Sequence, residues 1–119
     1  MTEPIIIFVF GSNLAGRHGR GAALFARRHY GAVYGQGTGR TGNAYAIPTK
    51  DGNLHVLSIE EIRSHVTSFV EYATAHPELT FKLTRVGCGL AGYKDSQIAP
   101  LFKGIPTNVL APDEWIQFL

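Results

Sequence analysis

The sequence predicts a small three-layer α/β domain, with a largely parallel or mixed sheet flanked by helices, and three observations carry that prediction. Short apolar runs alternate with helix-like segments in the order β, α, β, α, β, α, β, with no repeat and no linker. Helices placed between strands imply parallel pairing with helices on the sheet's faces. Twice a strand runs into a glycine-rich loop and then into a helix-like segment, first after residue 10 and again after residue 86. A length of 119 residues suits one core and is too short for two, so residues 1–119 are read as a single domain.

The elements follow in chain order. Ile5-Ile-Ile-Phe-Val-Phe10 is a continuous apolar run, the pattern of a strand covered on both faces. It enters Gly11-Ser-Asn-Leu-Ala-Gly-Arg-His-Gly-Arg-Gly21, after which Ala22, Ala23, Leu24, Phe25 and Ala26 predict a helix from about Gly19 to His29. Gly31 follows as a stop. Gly37-Thr-Gly-Arg-Thr-Gly42 fits the spacing of a dinucleotide fingerprint but precedes a strand, Ala44-Tyr-Ala-Ile-Pro48, instead of opening a helix. Residues 34–43 are therefore expected to form a flexible or hairpin-like loop flanking the ligand. No G-K-[ST] occurs, which excludes a P-loop.

Pro48 and Asp51-Gly52 punctuate the next turn. Ser58 and Glu61 have the spacing of a capping box, and Ile59, Ile62, Val66, Phe69, Val70 and Ala73 recur at helical spacing until Pro77 ends the pattern. Phe81-Lys-Leu-Thr-Arg-Val86 alternates apolar and polar residues and reads as a strand. It leads into Gly87, Gly89 and Gly92. Asp95 or Ser96 then caps a short helix reaching Leu101, Thr107–Leu110 form a last short strand, and Pro112–Phe118 form a terminal helical turn that packs Trp115 and Phe118.

Composition narrows the class of function. Apolar content of 45% and charged content of 17% describe a folded globular protein. A net charge of +2 argues against a dedicated nucleic-acid binder, although Arg17, Arg20, Arg27 and Arg28 form a local basic group to which Arg40 and Lys50 add. Arg27 and Arg28 are read as a solvated helix face, whereas the basic residues nearest the glycine loops could meet an anionic ligand. One cysteine permits no internal disulfide, and no Cys/His set suggests a metal. No cofactor is implied. The first apolar run is too short to span a membrane and lacks the basic flank of a signal peptide, so no membrane partner and a reducing cytoplasm are expected.

The two glycine loops carry the functional reading. Glycine lets a backbone approach a ligand with no Cβ in the way, and clustered N–H groups at the end of a strand suit a phosphate. Two such loops after parallel strands would face the same edge of the sheet, where open α/β sheets bind their ligands.

Phe10-Gly-Ser-Asn-Leu-Ala-Gly16 with Gly19-Arg-Gly-Ala-Ala23, then Ile47-Pro-Thr-Lys50, then Val86-Gly-Cys-Gly-Leu-Ala-Gly-Tyr93 together resemble the macro domains. These bind ADP-ribose and its derivatives, and the likeness is greatest to the branch with an Ile-x-Thr-Lys strand end and a Gly-Cys-Gly-Leu loop. The resemblance spans roughly residues 5–103, in order. The chain is shorter than a typical macro domain, which implies the loss of one or two peripheral strands.

The resemblance implies a ligand-binding set. Gly11, Ser12 and Asn13 end the first binding strand, with the Asn13 amide at the distal ribose. Gly19 and Gly21 lie near the diphosphate. Gly87, Cys88, Gly89, Leu90, Ala91 and Gly92 form the second phosphate loop, and Tyr93 covers the ribose or diphosphate. Some relatives remove ADP-ribose from carboxylate side chains with a lysine and a loop aspartate. Lys50 matches the lysine, but Ala91 stands where the aspartate is expected, leaving Asp95 as the substitute if the loop folds back. Cys88 has no histidine beside it in sequence to activate it and is read as a small packing residue.

The expected function is binding or sequestration of ADP-ribose or a related nucleotide, with an ADP-ribosylated protein as a further partner. A hydrolase using Lys50 with Asp95 and a protein- or nucleic-acid-interaction module are the alternatives.

Overall fold

The structure, a computed structural model, describes residues 5–119; the first four residues of the expected domain lie outside the described residues. One sheet of five strands organises it: β1 (Ile5–Asn13), β2 (Gly39–Thr41), β3 (Ala44–Lys50), β4 (Leu79–Leu83) and β5 (Val109–Leu110), in the spatial order β2-β3-β1-β4-β5. β1 pairs in parallel with β3 on one side and β4 on the other, and β4 pairs in parallel with β5. Only β2 runs antiparallel, against β3. The sheet is therefore mixed but mostly parallel, and the fold is a small three-layer α/β domain.

The strand sequences explain the layering. Alternate residues of a strand face opposite sides, so Phe8 and Phe10 of β1 join Ala44 and Ala46 of β3 on one face. There they pack against Ala23 and Ala26 of α1 (Gly21–His29). The alanines let this helix approach closely. Ile7, Val9, Tyr45 and Ile47 face the other side and meet Ile62, Val66, Phe69 and Ala73 of α2 (Ile59–Ala75). Both faces of β1 are covered at its centre, which is why the run is apolar throughout.

β4 is covered on one face only. Leu79, Phe81 and Leu83 enter the α2 core, while Lys82 is exposed. That core is the larger one. It also takes in Ile98 of α3 (Asp95–Ile98), Phe102 of the 3₁₀ turn Ala99–Phe102, and Trp115 of the 3₁₀ helix Asp113–Phe118. Phe69 touches the rings of Tyr45, Phe81 and Phe102 at centroid distances of 5.1, 5.5 and 6.2 Å. Truncating so central an aromatic to alanine typically costs about 3–5 kcal/mol.

Local signals located most boundaries. Ser58 caps α2 with both halves of the capping box made: its hydroxyl accepts from the Glu61 N–H, and the Glu61 carboxylate accepts from the Ser58 N–H. α1 starts at Gly21, two residues later than expected. β1 extends three residues past Phe10 because Gly11, Ser12 and Asn13 stay paired with β3 through a shift in register. β4 begins earlier and ends at Leu83 instead of Val86. The chain leaves the ladder there, with the Thr84 hydroxyl and N–H both donating to the Val9 carbonyl.

Residues 34–43 form a hairpin arm with β2, and none of them flanks the cavity described below. The arm instead props up the loop after β1. The Ser12 hydroxyl donates to the Gly37 carbonyl, and the Gly35 N–H donates to the Gly16 carbonyl. A Cβ on Gly37 would lie 2.0 Å from the Asn13 carbonyl oxygen, so the fingerprint-like glycines serve close backbone packing. Among the described residues no helix is long and apolar enough to cross a membrane.

Candidate functional site

Parallel pairing of β1 with β4 puts the loops that follow them side by side. A Cβ built on Gly11 would lie 3.4 Å from the Gly87 backbone nitrogen, so the two stretches touch through backbone. Between them, at the C-terminal edge of the sheet, opens a cavity of about 710 Å³. This is the position at which open α/β sheets bind ligands. From the loop after β1 it takes Gly11, Ser12, Asn13, Arg17, Gly19 and Arg20; from the loop after β4 it takes Arg85, Gly87, Gly89, Leu90 and Ala91. Thr49 and Lys50, at the end of β3, and Leu54 close the wall, and Gly21, Ala22 and Ala23 bring in the first turn of α1.

Seven backbone donors at this cavity are uncommitted among the described residues. Helix α1 has no side-chain cap and no acidic residue in its first turn. The N–H groups of Gly21, Ala22 and Ala23 donate to no protein acceptor among the described residues, nor do those of Gly87, Gly89, Leu90 and Ala91. Free first-turn N–H groups and the partial positive charge of a helix N-terminus favour an anion.

Charge at the cavity is of one sign. Arg17, Arg20, Lys50 and Arg85 line it, and no aspartate or glutamate does. Arg85 is already neutralised: its Nε and Nη2 donate to the two Asp95 carboxylate oxygens at 2.9 and 2.8 Å, and Glu114 lies 3.7 Å from Nη1. The side chains of Arg17, Arg20 and Lys50 form no ion pair or hydrogen bond among the described residues. The exposed apolar side chains of Leu54 and Leu90 complete the wall, Leu90 being 66% exposed.

The structure sorts the residues that the sequence singled out. Gly11, Ser12, Asn13, Gly19, Gly21, Lys50, Gly87, Gly89, Leu90 and Ala91 all line the cavity. Asn13 is buried, and its amide closes the turn: Oδ1 accepts from the Arg17 N–H at 2.9 Å, and Nδ2 donates to the Arg17 carbonyl at 3.0 Å. One amide hydrogen and further acceptor capacity are left. Asn13 also pairs with Lys50 in the β1–β3 ladder, so the two side chains spring from neighbouring strand ends.

Four residues of the expected site fall outside the cavity lining: Cys88, Gly92, Tyr93 and Asp95. Tyr93 packs against the α2 core and its hydroxyl donates to the Leu57 carbonyl. Cys88 also packs on that core. Burial, helped by a hydrogen bond to Asp95, pushes its thiol up to about 11, so it is protonated at neutral pH and a poor nucleophile. Asp95 is held by Arg85 and by the Trp115 indole N–H at 2.7 Å, and these hydrogen bonds bring its carboxyl down to about 2. Its oxygens are spent on structure.

Sequence reasoning left Thr49, Leu54 and Arg85 out of the site and had Arg17 and Arg20 only as members of a basic group able to meet an anion. The two loop arginines carried a signal, since they interrupt a glycine-rich loop. Thr49, whose hydroxyl donates to the Ser12 carbonyl at 3.3 Å, lay within the Ile-x-Thr-Lys strand end. Leu54 carried none. It reaches the cavity because the Asp51 carboxylate accepts from the Asn53 and His55 N–H groups and folds a turn that holds Leu54 at φ 65°.

Among the described residues no group of three or more His, Cys, Asp or Glu side chains is placed to hold a metal ion. In comparisons with known proteins no family model matches the chain, and no curated protein or solved structure matches it at a significant level.

Proposed function

We propose that this chain binds ADP-ribose or a related ADP-ribose-derived nucleotide in the cavity between the two glycine loops, as a macro-like module. One observation carries the reading: a single cavity at the carboxyl edge of β1 and β4 is lined by unclaimed backbone N–H groups and by Arg17, Arg20 and Lys50, with no carboxylate. Such a lining suits a diphosphate, because charge-assisted hydrogen bonds to phosphate are the strong ones and an acidic wall would oppose them. The volume of about 710 Å³ falls within the range of small-molecule pockets. The order of the motifs along the chain and the Asn13 and Lys50 positions supply the macro-domain part of the reading.

Binding ranks ahead of hydrolysis. A lysine-assisted hydrolase needs an acid–base partner at the reacting centre, and Asp95 is engaged by Arg85 and Trp115. Losing a general acid or base typically costs about 10²–10⁴ in rate. Titration calorimetry with ADP-ribose, with ADP and ribose 5-phosphate as partial ligands, tests the proposal. A Kd for ADP-ribose below about 1 mM, worth roughly 4 kcal/mol, supports it. Absence of heat at that concentration with all three sinks it.

A further inference from the structure

The loop after β1 contains one side chain that the ligand reading does not use. In the run from Arg17 to Arg20 every residue is exposed except His18, which is 0% exposed. Both His18 ring nitrogens are buried, and neither has a hydrogen-bond partner among the described residues. Its ring stands edge-on to Phe10 of β1 at 5.3 Å and to Tyr34 of the hairpin arm at 6.3 Å.

The groups around this imidazole all disfavour a proton on it. β1 offers the apolar ring of Phe10. The arm offers the ring of Tyr34. α1 offers the Arg27 guanidinium, which lies over the Tyr34 ring at 5.6 Å. On its own loop the neighbours are Arg17 and Arg20. No carboxylate pairs with His18 among the described residues. Protonation would place a cation with two unanswered donors in an apolar pocket near an arginine.

The loop has little else to secure it at this point. The Asn13 amide holds Arg17, and the Arg20 carbonyl accepts from the Leu24 N–H. Between these, no backbone group of His18 or Gly19 makes a hydrogen bond among the described residues. The buried ring is what fixes the stretch between Arg17 and Arg20 at the cavity wall.

We propose that neutral His18 is a positioning residue for the β1–α1 loop, and that protonating its imidazole opens this loop and releases an anionic ligand. Burial, with Arg27 second, lowers the pKa of His18 from its ordinary 6.5. In the open loop the ring is hydrated and titrates near 6.5, so the open form binds the extra proton first. The closed form is thus fully favoured above pH 6.5 and loses ground as the pH falls below it. Each pH unit below 6.5 shifts the closed-to-open ratio by up to about tenfold until the closed form is itself protonated.

The ligand half of this proposal rests on the anion-binding reading of the cavity; the loop half does not. NMR titration of the ligand-free protein from about pH 8 to about pH 5 reads the loop directly. The expected result is a His18 imidazole titrating below a free histidine, with the Gly19 and Gly21 amide signals moving at the same midpoint. A His18 that titrates at or above the free value, or glycine amides that ignore its titration, overturns the proposal. Calorimetry with ADP-ribose reads the consequence, since its diphosphate stays ionised over this range. Affinity should fall between about pH 7.5 and about pH 5.5 along the His18 titration, by at most about tenfold, and His18→Phe should flatten that dependence. A wild-type affinity that does not follow the His18 titration, or an equal fall in folded His18→Phe, overturns the ligand half. If ADP-ribose binds at no pH, the function proposed above fails, and the ligand-free titration alone decides the switch.

Discussion

The loop after β1 exposes Arg17, Gly19 and Arg20 and is held by the neutral Asn13 amide and one buried imidazole, whereas the loop after β4 is tied down by an ionic clasp. Arg85 at its start clasps Asp95 beyond its end, Asp95 is locked to Trp115 in the core, and the Tyr93 hydroxyl holds the Leu57 carbonyl. The same sheet edge thus carries an anchorage without ionised groups and one of ionic hydrogen bonds. The cations differ accordingly. Those of the first loop have no protein partner among the described residues, and Arg85 of the second is bound by carboxylates. The comparison assigns free positive charge to the first loop and a rigid row of backbone donors to the second.

The sharpest way to break this division is Gly89→Val. Nothing lies within 4 Å of a Cβ at Gly89, and its φ is not positive, so the fold should survive. Gly89 lines the cavity, so a branched side chain there is placed beside the backbone donors of this loop. We expect ADP-ribose affinity to fall beyond about 1 mM with the melting temperature changed by less than about 2 °C. Unchanged affinity in the folded variant would remove the second loop's backbone from the site.

Removing the first loop's charge should come next. Hydrogen bonds to charged groups are worth about 1.5–3 kcal/mol each, so Arg17→Ala with Arg20→Ala should weaken ADP-ribose binding about a hundredfold or more. The affinity of the unmodified protein should also drop as salt is raised. If the double variant binds normally, the free cations serve something else.

Asp95→Asn probes the ionic anchor. The ion pair with Arg85 contributes stability above pH 3.8, and that contribution is lost as pH falls from 3.8 toward about 2, where the folded protein's carboxyl is protonated. Thermal melts across this range should show a steeper acid loss for the unmodified protein than for Asp95→Asn, whose melting temperature should be lower at neutral pH. Parallel curves would show that the clasp contributes nothing. This window lies well below the one in which His18 acts, so the two anchors are separable by pH alone.

The smallest effect belongs to Cys88. With its thiol raised to about 11, labelling by a disulfide reagent at pH 8 should be roughly a hundredfold slower than for a free cysteine. Cys88→Ser should leave ADP-ribose affinity within about twofold. Rapid labelling would show that the loop opens far more than its anchors suggest.

What the sequence alone determined about this protein was what neighbours along the chain decide. The Ser58–Glu61 capping box closes within four residues, and the α2 apolar stripe sets its own buried face. The unbroken apolar run of β1 announces cover on both sides. The two glycine loops pointed to the sheet edge where the cavity lies, because each follows a strand. Tertiary structure decided the rest. Gly39–Thr41 is too short to stand as a strand without β3 beside it, and Gly11–Asn13 is strand only because β3 pairs with it. Adjacent residues of one loop were divided between cavity and core: Leu90 and Ala91 line the pocket, while Tyr93 turns to Leu57 and Cys88 to the α2 side. Asp95 became a clasp because Arg85 and Trp115, 10 and 20 residues distant, reach its oxygens. His18 became a plug because Phe10 and Tyr34 close over it. Periodicity and turn chemistry act within a few residues, whereas a side chain's partner and its protonation are set by whatever the sheet brings beside it.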